Sequence, residues 1–245
     1  MKVRTVFVEF VLAVLLCVPL AQAVGYNLQE LIDTQGTVVS GDKIMGEFGI
    51  LTREGYIAAS SITVSPIGTQ AEGPDYYGIT FGGGGLYAQG GAILDFAIHY
   101  SVTVAQGSGY KLHDISQAFN LFTSGGGSVT IGETVFADGF GQGPVLAQSS
   151  LFWPPPDMSD PAAEGVQGDD LIFAPCDKVY VTKDIRLESP VWAIDPETGE
   201  QYPGRIGTTI IYQRFSQVPV PDGGKTLVML LGGLISSLAL RRRFA

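Results

Sequence analysis

Phe96-Ala-Ile-His-Tyr-Ser-Val-Thr-Val-Ala105 alternates without a break: Phe96, Ile98, Tyr100, Val102 and Val104 against Ala97, His99, Ser101, Thr103 and Ala105. Successive side chains of an extended strand leave the backbone on opposite sides, so this period of two marks a strand with one face buried. Near the other end, Ile206, Thr208, Ile210 and Tyr212 alternate with Gly207, Thr209, Ile211 and Gln213. Shorter runs of the same kind cover 38–50, 56–64, 76–81, 111–122, 128–136, 145–152, 178–187 and 191–194. Many of the 33 glycines fall between these runs, where turns need positive φ. Helix is expected only at Leu28 to Ile32, with Asn27 as N-cap and Glu30 at the capping-box position. The pattern predicts an all-β, antiparallel β-sandwich with one short N-terminal helix. The stretch from Pro154-Pro-Pro156 to Gly168 reads as a long loop, because prolines cannot donate to a ladder and strands resume beyond it.

The two ends do not belong to this domain. Lys2 and Arg4 precede an apolar stretch from Val6 to Val18, broken only by Glu9, and Ala21-Gln22-Ala23 supplies small residues for a signal-peptidase pocket. Residues 1–23 are therefore read as a signal peptide, cleaved after Ala23, with Ala21 and Ala23 as the cleavage-site residues. At the other end, Val218-Pro-Val-Pro-Asp-Gly-Gly224 precedes Lys225, an apolar run over 226–240, and Arg241-Arg242-Arg243. As a helix that run would be about 22 Å long, against a hydrocarbon core of ~30 Å. The arginines would hold its end on the cytoplasmic side.

This tripartite end resembles the PEP-CTERM sorting signal in a Val-Pro-Asp-Gly variant, carried here by Val220, Pro221, Asp222 and Gly223, then the helix and Arg241, Arg242 and Arg243. Leu28-Gln-Glu-Leu-Ile32, followed by Val39-Ser-Gly-Asp-Lys-Ile44 and Phe48, is also similar to the start of many PEP-CTERM ectodomains. The resemblance implies a Gram-negative bacterium, processing by an exosortase after export, a transient stay in the inner membrane through the C-terminal helix, and delivery to the cell surface or an exopolysaccharide matrix. The organisation expected is a signal peptide at 1–23, a sandwich ectodomain at 24–217, and a sorting signal with a transmembrane helix at 218–245.

Without residues 1–23 and everything from Asp222 onward, 8 basic and 22 acidic residues remain, a net charge of −14. Such a surface repels phosphate backbones, so nucleic acid is excluded as a partner. Cys176 is then the sole cysteine, which rules out an intrachain disulfide and a zinc–thiolate cluster. It reads as a partly buried thiol.

No catalytic set stands out. Gly82 to Gly85 follows a strand but opens no helix, so it reads as a hairpin loop rather than a phosphate cradle. His99 and His113 are the only histidines; no Gly-x-Ser-x-Gly elbow accompanies them, and a solvated or hydrogen-bonded role is expected. Glu133 and Asp95 are candidates for partial burial, as a glycosidase acid would require. Asp157, Asp160, Glu164, Asp169 and Asp170 crowd the proline-rich loop at a density that suits Ca²⁺, but without EF-hand order, so no cofactor is assigned. Tyr76, Tyr77, Tyr87, Tyr110, Trp153 and Trp192 offer sugar-stacking faces; most sit within strand runs where core packing is expected, with Trp153 the one placed at a surface.

The leading expectation is a non-enzymatic, exosortase-sorted structural or binding protein of the extracellular matrix, with exopolysaccharide as its ligand. The alternative is a secreted carbohydrate-active enzyme, glycoside-hydrolase-like, on the same sandwich. A cleft with two carboxylates roughly 5–10 Å apart would favour the enzyme, and a flat sandwich the structural role. Amino-terminal sequencing of exported protein is expected to return Val24; Met1 in that material would overturn the leader assignment.

Overall fold

A computed structural model describes residues 25–68, 77–154 and 166–220. In chain order the elements are β1 (Tyr26–Asn27), α1 (Leu28–Thr34), β2 (Val38–Ser40), β3 (Lys43–Glu54), a 3-10 turn (Ala59–Ser61), β4 (Thr63–Ile67), β5 (Gly78–Gly82), β6 (Tyr87–Gln89) and β7 (Ile93–Val104). There follow β8 (Tyr110–Ser124), β9 (Ser128–Phe136), β10 (Val145–Trp153), β11 (Val166–Cys176), β12 (Lys178–Glu188), β13 (Trp192–Ile194), β14 (Gln201–Pro203) and β15 (Arg205–Pro219). One sheet runs β1-β4-β5-β15-β8-β11 with β6 also on β15; the other runs β10-β9-β12-β7-β3-β2, and every pairing is antiparallel. The two-sheet antiparallel sandwich with one short helix is the expected one.

Period-two alternation translates directly into the core. Val179, Val181, Ile185 and Leu187 of β12 point inward, as do Leu94, Phe96, Ile98, Tyr100, Val102 and Val104 of β7. From the other sheet Ile115, Phe119, Leu121, Ile211 and Phe215 meet them. Tyr100 is the hub of the aromatic packing, with ring centroids 5.9 Å from Phe48, 5.5 Å from Phe81 and 6.4 Å from Phe215. The helix is capped as its sequence requires: Asn27 Oδ1 accepts from the backbone N–H groups of Gln29 and Glu30. It ends where Gln35 turns left-handed at φ 51°.

Polar side chains interrupt this core near Lys43 and Gln217 and, more extensively, as two facing cross-strand pairs. Glu133 of β9 stands directly opposite Lys183 of β12, and Gln117 of β8 directly opposite Gln213 of β15. All four are buried, Lys183 and Glu133 with side chains at 0% exposure. Lys183 Nζ lies 2.6 Å from Glu133 Oε2 and donates across the sandwich to Gln117 Oε1 at 2.7 Å.

Several expectations are corrected. The run at 56–64 is mostly irregular: Tyr56 is 87% exposed, a 3-10 turn follows, and the strand begins at Thr63. The long loop does not reach Gly168, because β11 starts at Val166; residues 168–170 are all exposed on an edge strand, which hides the period of two. The two tryptophans exchange places: Trp153 is buried at 1% exposure, and Trp192 is 57% exposed. The transmembrane part of the expected fold finds no support among the described residues. Among the described residues no helix is long and apolar enough to cross a membrane, and α1 with its 7 residues would span only about 10 Å. The expectation of a transient inner-membrane anchor likewise has no helix among the described residues to carry it. The leader at 1–23 with Ala21 and Ala23, the run 226–240, and Pro221, Asp222, Gly223, Arg241, Arg242 and Arg243 lie outside the described residues. Val220 is described: it is exposed, and its N–H donates to Gly109 O at 2.8 Å.

The tryptophans give a direct check. Trp153→Ala is expected to lower stability by about 3–5 kcal/mol through the cavity it leaves, whereas Trp192→Ala changes it by no more than about 0.5 kcal/mol. Denaturant titration reads both, and acrylamide should quench fluorescence in the Trp153-less variant far more than in the Trp192-less one.

Candidate functional site

The outward face of the six-stranded sheet carries the chemistry, and register dictates its layout. Reading across β10, β9, β12, β7 and β3, a central row runs Ser150, Gly132, Asp184, Ala97, Leu51. One side of it is the row Phe152, Thr130, Arg186, Asp95, Glu54; the other is Gln148, Thr134, Thr182, His99, Gly49. Gly132 leaves the central row low beside Asp184, and the taller side chains of the flanking rows become walls. The result is a groove of about 250 Å³ lined by Arg53, Asp95, Thr134, Gln148, Ser150 and Asp184 among others.

Charge in the groove is organised around two guanidinium groups. Arg53 Nη1 donates to Asp95 Oδ1 at 3.2 Å and to Asp184 Oδ1. Arg186 donates from Nη1 to Asp95 Oδ2 at 3.1 Å and from Nε to Glu188 Oε1 at 2.6 Å. The bond to Asp184 raises the Arg53 pKa above its ordinary value, and the bond to Glu188 does the same for Arg186. Both stay cationic throughout the accessible pH range. Two carboxylates therefore share one guanidinium nitrogen within an open groove, beside hydroxyl and carboxamide groups that both donate and accept. At the far end His99 packs on Phe140 with centroids 4.6 Å apart, and Phe140 meets Tyr180 edge-on at 5.2 Å. Burial lowers the His99 pKa, so its ring is neutral at pH 7.

Glu133 and Asp95, the two acids expected to be partly buried, point to opposite faces of the sheet. Asp95 faces the groove, whereas the side chain of Glu133 turns into the core toward Lys183. His99 and His113 sit on different sheets, β7 and β8, and are not brought together. Asp169 and Asp170 lie on β11 rather than in the loop, and Asp157, Asp160 and Glu164 lie outside the described residues. Among the described residues no three His, Cys, Asp or Glu side chains gather as metal ligands. Gly82 to Gly85 joins β5 to β6. Tyr87 stacks under Arg205 at 5.2 Å, Tyr77 under Lys43 at 5.3 Å, Tyr110 is exposed, and Tyr76 lies outside the described residues. Arg53, Gly132, Asp184 and Arg186 were not legible as a site; the signal for three of them was the polar half of the alternation in β9 and β12.

The expectation of a non-enzymatic structural or binding sandwich is corrected by this face. It is grooved rather than flat, and it brings Asp95 and Asp184 together at Arg53. Cys176 takes no part: burial first, and Asp177 second, push its thiol up to about 11. Alkylation of Cys176 by iodoacetamide is accordingly expected to be slow at pH 8 and to rise steeply only toward pH 11, followed by peptide mass mapping.

No protein-family model matches the chain, and no curated protein does. Neither comparison lends support to the exosortase-sorted, matrix-localised class. Among solved structures, the chain is similar to TmCBM61 in complex with β-1,4-galactotriose, with 10% identity, a TM-score of 0.28, and coverage of 68% of this chain and 87% of that one. It is also similar to the Arthrobacter globiformis T6 isomalto-dextranase complexed with panose, with 15% identity, a TM-score of 0.27, and coverage of 68% and 23%. A third is the arabinose-bound MgGH51 α-L-arabinofuranosidase, with 11% identity, a TM-score of 0.26, and coverage of 68% and 23%. The chain thus spans under a quarter of the length of those two enzymes. Likeness at this level assigns no activity, and the functional reading rests on the groove.

Proposed function

We propose that this protein is a carbohydrate-active β-sandwich that takes a neutral oligosaccharide into the groove across β10, β9, β12 and β7. The observation that carries the reading is the low floor at Gly132 beside Asp184, walled by paired arginines and acids. A sugar hydroxyl both donates and accepts, and this surface presents acceptors from Asp95 and Asp184 next to donors from Arg53 and Arg186. Within the groove those four charges cancel, and the acidic domain around them repels polyanions, so an uncharged glycan fits best. Phe152, 52% exposed and opposite Thr130 of the groove lining, supplies an apolar ring face.

A second observation supports cleavage as well as binding: Asp95 and Asp184 converge on Arg53 Nη1. Glycosidases place two carboxyl groups about the scissile bond, one to donate a proton and one to attack or to activate water. In this reading Asp95 and Asp184 are that pair.

Gly132→Val separates the site from the fold. A Cβ at Gly132 would meet Asp184 Cβ at 3.4 Å and Ser150 Oγ at 3.8 Å, which is ordinary contact. A β-branched residue also suits a strand better than glycine. On an array of neutral α- and β-linked oligosaccharides the native chain is expected to bind, and Gly132→Val to bind on the order of tenfold or more weakly with an unchanged or higher unfolding midpoint. Equal binding by both proteins would overturn the groove. Release of reducing ends from the bound glycan, abolished in Asp184→Asn and Asp95→Asn, would establish cleavage; binding without release would leave the groove a recognition site.

A further inference from the structure

The facing polar pairs in the core place an amine, a carboxylate and a carboxamide in contact inside a dry, apolar enclosure. Lys183 Nζ is 2.6 Å from Glu133 Oε2 and 2.7 Å from Gln117 Oε1. Gln117 Nε2 donates to Ser149 Oγ at 2.6 Å, which fixes the plane of its carboxamide. Gln213 Nε2 donates to Glu133 Oε1 at 3.2 Å and orients that carboxylate from the other side. Lys183 and Gln213 are at 0% exposure, and Glu133 and Gln117 at 1%. Two more polar atoms, Tyr100 Oη and Gln213 Oε1, are buried in the core without a hydrogen-bond partner.

We infer that Lys183 and Gln117 are the two halves of an intramolecular amide cross-link between the sheets, with Glu133 as the proton-transferring catalytic residue. A buried ammonium is disfavoured by desolvation, and burial lowers the Lys183 pKa accordingly, toward the uncharged, nucleophilic amine. The step balances within the chain. Glu133 Oε2 takes one proton from Nζ, and the amine lone pair forms a bond to Gln117 Cδ while the carbonyl electrons move onto Oε1. Glu133 then delivers its proton to Gln117 Nε2. The Cδ–Nε2 bond breaks as the carbonyl re-forms, ammonia leaves, and the second Nζ proton passes to Glu133. Nothing is oxidised or reduced, and no co-reactant is required.

Proximity supplies the rate that free glutamine and lysine lack. Reacting groups held in contact reach effective concentrations far above any in solution, and exclusion of water removes the competing hydrolysis. Ser149, on the edge strand β10 and only partly buried, marks the side on which ammonia would leave. Such a bond would join β12 of one sheet to β8 of the other. It would supply a covalent tie between the sheets, which Cys176, the one cysteine among the described residues, cannot provide.

Intact mass of the purified, folded chain tests this. The expected value is the sequence mass, after any terminal processing, less one ammonia, and peptide mapping should recover the segments containing Lys183 and Gln117 as one branched species. Full sequence mass in folded protein would overturn the proposal, as would an ammonia loss that maps elsewhere. Gln117→Met, which removes the carboxamide but keeps the volume, should fold and carry its full mass. Glu133→Gln should likewise lack the branch; a branch that persists in folded Glu133→Gln would remove Glu133 from the reaction. The glycan array is independent of this outcome, since Gly132→Val leaves the core pairs intact.

Discussion

A lysine amine enclosed between two sheets must draw its oxygen partners from both of them. Lys183 does so, with a carboxylate supplied by its own sheet and a carboxamide by the other. Removing the Glu133 carboxylate would strand a buried charge, at a cost of roughly 3–5 kcal/mol. The constraint is therefore on alignment more than on net stability. β9 must pair with β12 so that Glu133 meets Lys183, β8 with β15 so that Gln117 meets Gln213, and the sheets must face one another at that level. A slip by one residue would turn Lys183 to solvent and Asp184 into the core.

The same register composes the outer surface. Because inward and outward residues alternate, fixing Glu133 and Lys183 inward fixes Gly132 and Asp184 outward and side by side. Arg186 then meets Asp95, and Thr182 meets His99. The groove is thus the reverse side of the polar core, one residue along each strand. Packing, electrostatics and site geometry here are one arrangement seen from two faces.

Most of the strands were legible in the sequence because a half-buried strand writes its period into composition; β7, β9 and β12 show it plainly. β11 did not, since its exposed Gly168, Asp169 and Asp170 break the alternation and the preceding prolines suggest a loop. The tryptophans misled for a related reason. Proline neighbours suggested exposure for Trp153, yet β10 directs it into the core, while the short β13 leaves Trp192 outside. The site was half legible. Asp95 was visible as an acid at a strand start, but its partners come from β3 and β12, and only register brings them together. Glu133, expected to be partly buried, is almost wholly so, and the buried amine opposite it could not be inferred without the pairing.

The borders of the two sheets carry a consequence of their own. β1 and β2, with 2 and 3 residues, offer little open backbone to a neighbouring molecule. β11 is longer, and it presents Asp169 and Asp170 in succession on exposed positions. Two copies approaching rim to rim along β11 would bring these acids against each other, within a chain that is already strongly anionic. Rim-to-rim pairing along β11 is therefore disfavoured, which leaves β10 as the longer edge without such a pair of acids.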